Sequence, residues 1–169
     1  MGHVPSDLQC RAPGFPVNAG YDAFTAIPPT PELDLLNRLK DELPRVWDGE
    51  PFDAITFRTA LEFVKARKPR GLYVSLGETD EWAHAGHYAA YLDAAHRADT
   101  YISMLWNLLQ SMPEYRGSTT LIFSPDHGRG EAPVQWKDHG EKVPDASTSG
   151  WRSSVPTHEP LASGRTPKP

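Results

Sequence analysis

Apolar positions change period several times along the chain, and each change marks an element. Leu33, Leu36, Leu39 and Leu43 recur at steps of three and four, which predicts an amphipathic helix. Thr30-Pro31-Glu32 opens it: threonine caps free N–H groups, proline fits the first turn, and the acid suits the positive end of the helix dipole. Pro44 ends it. A second helix is expected over 53–68, with Ala54, Phe57, Leu61 and Val64 as its apolar stripe and Lys65, Arg67 and Lys68 at its negative end. Pro69-Arg70-Gly71 stops it. Residues 72–76 are then a short, mostly apolar run, which reads as a buried parallel strand.

The longest periodic segment follows. Tyr88, Tyr91, Ala95, Ala98, Ile102, Leu105 and Leu109 make one stripe, and Asp93, His96, Arg97, Thr100, Ser103 and Asn107 lie largely off it. Pro113 and Gly117 close this helix, and residues 119–123 read as a second buried strand. Strand, crossover helix and strand form a βαβ unit with parallel strands and a right-handed connection. The expected fold class is therefore α/β, a mostly parallel sheet flanked by helices. Residues 30–143 would form this partial domain.

The flanks differ in character. Prolines at 5, 13, 16, 28 and 29 and glycines at 2, 14 and 20 break any pattern, so 1–29 is expected to be an irregular, surface-hugging segment. From 144 to 169 Ser, Thr, Pro and Gly dominate without an apolar period, as in a flexible tail.

Composition narrows the function classes. With 169 residues, 38% apolar and 23% charged, the chain can build one domain with a real core. Its formal charge of −5 comes from dispersed acids, which argues against a nucleic-acid partner. Cys10 is the only cysteine, so neither an internal disulfide nor a thiolate zinc site is expected. No run approaches a membrane span, and the first residues lack the apolar core of a signal peptide. The compartment stays open.

The candidate chemistry sits at the ends of the two apolar runs. Gly77-Glu78-Thr79-Asp80-Glu81-Trp82-Ala83-His84 follows the first, and Ser124-Pro125-Asp126-His127-Gly128-Arg129-Gly130 follows the second. Asp138-His139-Gly140 comes shortly after. Open α/β sheets hold ligands beyond the carboxyl ends of their strands, so Asp80, His84, Asp126, His127 and His139 are expected to converge in one crevice as metal ligands. Oxygen and nitrogen donors without sulfur suit Zn²⁺ or Mn²⁺, with Mg²⁺ less favoured by histidine. Five ligands exceed one tetrahedral site, which points to two divalent ions holding the oxygens of a displacement on phosphorus or sulfur.

Each piece has a bland reading. Asp-x-x-x-His alone is ordinary surface polarity, and Asp126 can be a helix cap. Only the order of the whole set is informative. His87 is either an extra ligand or the exposed start of the long helix, and His96 reads as solvated. Arg129 and Lys137 are weak candidates for a substrate's anionic oxygens, or solvated loop cations. Trp82 and Trp136 either wall the pocket or pack.

The quoted motifs, with His139 downstream, resemble the alkaline phosphatase superfamily of phosphatases, type I phosphodiesterases, sulfatases and cofactor-independent phosphoglycerate mutases. The resemblance covers residues 50–143. It implies that Asp80, His84 and His139 hold one metal and that Asp126 and His127 hold the other. It also implies a small phosphate or sulfate ester as substrate. The family's upstream aspartate and its Ser or Thr nucleophile have no match here, nor does its final strand and helix. The chain thus reads as a fragment of such a hydrolase. The alternatives are a remnant that binds metal without turnover and a plain structural α/β domain.

Overall fold

The computed structural model describes residues 20–131, 133–140, 142, 143 and 146. The expected irregular start up to residue 19 and the expected tail, apart from Ala146, lie outside the described residues. The chain divides after Glu114 into two compact units.

Among its described residues, the first unit is built from four helices. α1 spans Pro31–Glu42, where the Thr30 hydroxyl accepts the Leu33 N–H at 3.1 Å and Glu32 and Asp34 occupy the first turn. It buries Leu33, Leu36 and Lys40. The Lys40 ammonium donates to the carbonyl of Asp22 at 3.0 Å, and burial pushes its pKa down to about 8 against the nearby charges of Asp22 and Asp41. α2, Asp53–Arg67, ends with Lys68 in the left-handed conformation, at φ 48°. Its burial extends well beyond one stripe, because Ile55, Phe57, Ala60, Leu61, Phe63 and Val64 are all inside. That makes α2 the central element.

Two apolar clusters flank it. Phe24, Ile27, Leu33, Ala60 and Phe63 form one, so the irregular stretch before α1 contributes two core residues. Phe57, Leu61 and Tyr101 form the other, with the Phe57 and Tyr101 rings stacked at 4.4 Å. Each fully buried large side chain of this kind stabilises the fold by about 1.5–3 kcal/mol.

α3 spans Glu78–His84 and α4 spans Tyr88–Ser111. The inner face of α4 is rotated from the one its spacing predicts. Ala94, Tyr101 and Leu109 are buried and Met104, Leu105 and Leu108 pack on the second cluster, whereas Tyr88 is 56% exposed. Arg97, expected off the stripe, falls between Ala94 and Tyr101 and pairs with Glu78.

The second unit holds a single 3₁₀ turn, Gln135–Lys137, among its described residues. Its loops close through the Gly128 N–H to Ala146 O at 3.0 Å and the Gly130 N–H to Asp138 O at 3.4 Å. Gly130 has no room for a side chain, since a Cβ there would stand 2.6 Å from Gln135 Cβ and 2.8 Å from Val143 Cγ1.

The expected α/β class is overturned. No strand occurs among the described residues, and the first unit is helical. An apolar run becomes a strand only when its N–H and C=O groups meet those of a neighbour. Residues 72–76 lie instead on helix side chains: Leu72 and Val74 meet the first cluster and Leu76 the second, while Tyr73 is 61% exposed. Residues 119–123 leave Ile122 65% and Phe123 47% exposed. Without a sheet, the βαβ unit and the crevice at its strand ends do not exist here.

Candidate metal centre

The stretch expected to be a strand-end loop is a helix, and that fixes the spacing of the first candidate pair. α3 begins where the Asp53 carboxylate accepts the N–H of Gly77 at 2.8 Å and of Glu78 at 3.3 Å. It ends in a Schellman arrangement. Gly86 adopts φ 73°, its N–H donates to Ala83 O at 2.8 Å, and the His87 N–H donates to Trp82 O at 2.9 Å. On a helix of 3.6 residues per turn, Asp80 and His84 share one face, and Glu78 and Trp82 share another roughly 200° away.

The Asp80 Oδ2 and His84 Nε2 atoms are 3.4 Å apart on side chains about one-third exposed. Bonds of about 2.0–2.2 Å in a tetrahedral zinc site set neighbouring ligand atoms roughly 3.3–3.6 Å apart. The pair therefore fits two corners of one ion's shell.

The second unit assembles another set. The Asp126 carboxylate accepts the His127 N–H at 2.9 Å, and its Oδ2 lies 3.5 Å from His127 Nε2. The His127 and His139 rings stack at 3.7 Å with 21° between their planes. His127 Nδ1 is 3.0 Å from the carbonyl of Gly128. The structure thus pairs Asp80 with His84 in one unit and His127 with both Asp126 and His139 in the other. The Arg129 guanidinium donates to the carbonyl of Lys137 at 3.1 Å, so it holds the 3₁₀ turn.

The remaining candidates resolve simply. His87 precedes α4, is exposed, and meets the edge of Trp82 at 5.8 Å between ring centres. His96 is exposed on α4. Trp82 packs on Trp47 at 5.0 Å.

Sequence reasoning missed the polar network behind α3. Asp53 and Glu78 are both buried and cap each other's helices: the Asp53 N–H donates to Glu78 Oε1 at 2.8 Å while Asp53 accepts from Glu78. Glu78 also pairs with Arg97 and receives the Trp82 Nε1–H at 3.4 Å. Burial, then the charge of Glu78, pushes the Asp53 carboxyl up to about 7, against the N–H groups of Gly77 and Glu78. Two signals could have exposed α3: its acid-rich first turn and Gly86 just past its end.

The chain matches no model of a known protein family, no curated protein and no solved structure. Among the described residues, no helix is long and apolar enough to cross a membrane.

Proposed function

We propose that this chain serves in divalent-cation-dependent hydrolysis of phosphate or sulfate esters, with Asp80, His84, Asp126, His127 and His139 as ligands of Zn²⁺ or Mn²⁺. The observation that carries this is the 3.4 Å spacing of Asp80 Oδ2 and His84 Nε2, held by one turn of α3. The second set, with 3.5 Å between Asp126 and His127, has the same donor chemistry. The order of the motifs, which resembles that of the alkaline phosphatase superfamily, supports the reaction class. The reading rests on ligands and spacing and needs no sheet.

Bound ions of this kind lower the pKa of an attacking hydroxyl and neutralise charge that develops on the ester oxygens. The chain's own part is to hold the donors. α3 fixes the angle between Asp80 and His84. The backbone N–H of His127 orients the Asp126 carboxylate, and stacking aligns the two imidazoles of the second set. Lys137, two residues before His139 in the sequence, is the candidate cation for an anionic ester.

Equilibrium dialysis with Zn²⁺ and Mn²⁺, run beside assays of 4-nitrophenyl phosphate and 4-nitrophenyl sulfate, tests the proposal. Retention of metal at micromolar concentrations is expected, with turnover lost in both Asp80→Ala and His127→Ala. Failure to retain either ion would overturn the ligand assignment. Retention without turnover of either ester would reduce the reading to a cation-binding domain.

A further inference from the structure

The first unit contains an open cleft of about 460 Å³, independent of the ligand pair above. It lies within the size range of small-molecule sites. Leu36, Leu39 and Leu43 form one wall, and Phe52, Ile55 and Trp82 form others. Glu78 and Trp82 turn to this cleft, so α3 offers it the face opposite Asp80 and His84.

Three charged groups border the apolar walls: Arg58, Glu78 and Arg97. The Glu78 carboxylate is already matched by the Asp53 N–H, the Trp82 indole N–H and Arg97. Arg97 and Glu78 cancel in charge, which leaves Arg58 as the unbalanced cation of the lining. Outside the cleft, Arg58 pairs with Glu32 at 3.8 Å, with both side chains about half exposed. Such a half-exposed, screened pair is weak, so a ligand can displace it.

We propose that this cleft binds a carboxylate with an apolar body, such as a fatty or aryl-alkanoic acid. The chain or ring lies on the leucine, Phe52 and Trp82 walls, and the carboxylate takes the two-pronged contact of the Arg58 guanidinium. The net charge of the lining, two guanidinium groups against one carboxylate, selects one negative charge over none or a positive one.

Calorimetric titration of the full chain with decanoate, decanol and decyltrimethylammonium below their micellar concentrations tests this. Decanoate should saturate a single site, decanol should bind at least tenfold more weakly, and the ammonium compound weaker still. Arg58→Gln should weaken decanoate about tenfold and leave decanol unchanged. Leu39→Trp, which fills the cleft, should abolish both. His84→Ala, on the other face of α3, should alter neither, which separates this site from the metal reading. Equal binding of decanoate and decyltrimethylammonium, an unaltered decanoate affinity in Arg58→Gln, or no saturable decanoate binding would each overturn the proposal.

Discussion

The run at 72–76 is held against two apolar clusters, whereas the run at 119–123 turns Ile122 and Phe123 outward. Both are short, apolar and rich in strand-forming residues. The first has a surface to lie on: Leu72 and Val74 pack against the first cluster, and its far end is pinned where Asp53 accepts the Gly77 N–H. The second is anchored at its start, where the Thr119 hydroxyl donates to the carbonyl of Tyr115 at 2.9 Å. An apolar run is thus held by what it contacts, not by its own propensity, which agrees with β-propensity being mostly a measure of packing.

The contrast can be broken most directly at Val74. Val74→Asp sets a carboxylate against the first cluster and should cost about 3 kcal/mol, seen as a lower thermal midpoint by circular dichroism at 222 nm. A loss below about 0.5 kcal/mol would mean the run is not held by that cluster.

The pin at the end of the same run is pH-dependent. The Asp53 carboxyl at about 7 in the folded chain lies above its unfolded value near ~3.9. Between those values the folded chain binds a proton that the unfolded chain lacks, so stability falls as pH rises through that window. Asp53→Asn keeps an acceptor for Gly77 and Glu78 without the charge. It should flatten the profile, with a gain of about 2 kcal/mol at pH 8 and little change at pH 4, measured by urea unfolding at each pH.

Gly130→Ala sharpens the comparison inside the second unit. The added methyl would meet Gln135 and Val143 and should cost about 1–2 kcal/mol locally, read as faster hydrogen exchange at the Gly128 and Gly130 amides. Smallest of all, Ile122→Asp should move the thermal midpoint by no more than the equivalent of about 0.5 kcal/mol, because its side chain is already 65% exposed. It should also slow aggregation, which light scattering follows.

Much of the helical structure was legible. α1, α2 and α4 form where leucine, phenylalanine and alanine recur at helical steps, and Thr30 caps α1 as its position before a proline suggests. These signals are local, since a cap and a stripe are set by residues within one or two turns. The candidate ligands were legible for the same reason: Asp80 and His84 are one turn apart, and Asp126 adjoins His127. Which face of α4 turns inward was harder, because Arg97 falls between inward positions only where Glu78 is there to pair with it.

What the chain alone determined is therefore α1, α2 and α4, the Thr30 cap and the donor chemistry of the Asp and His motifs. Tertiary structure decided that the two apolar runs are not strands, and that α3 forms between the reciprocal caps and Gly86. It also buried Asp53 and Glu78 together, with the half-exposed Arg97 paired to Glu78. The physical reason is range: Asp53 and Glu78 meet across 25 residues. A strand needs a neighbour whose position no short window of sequence contains.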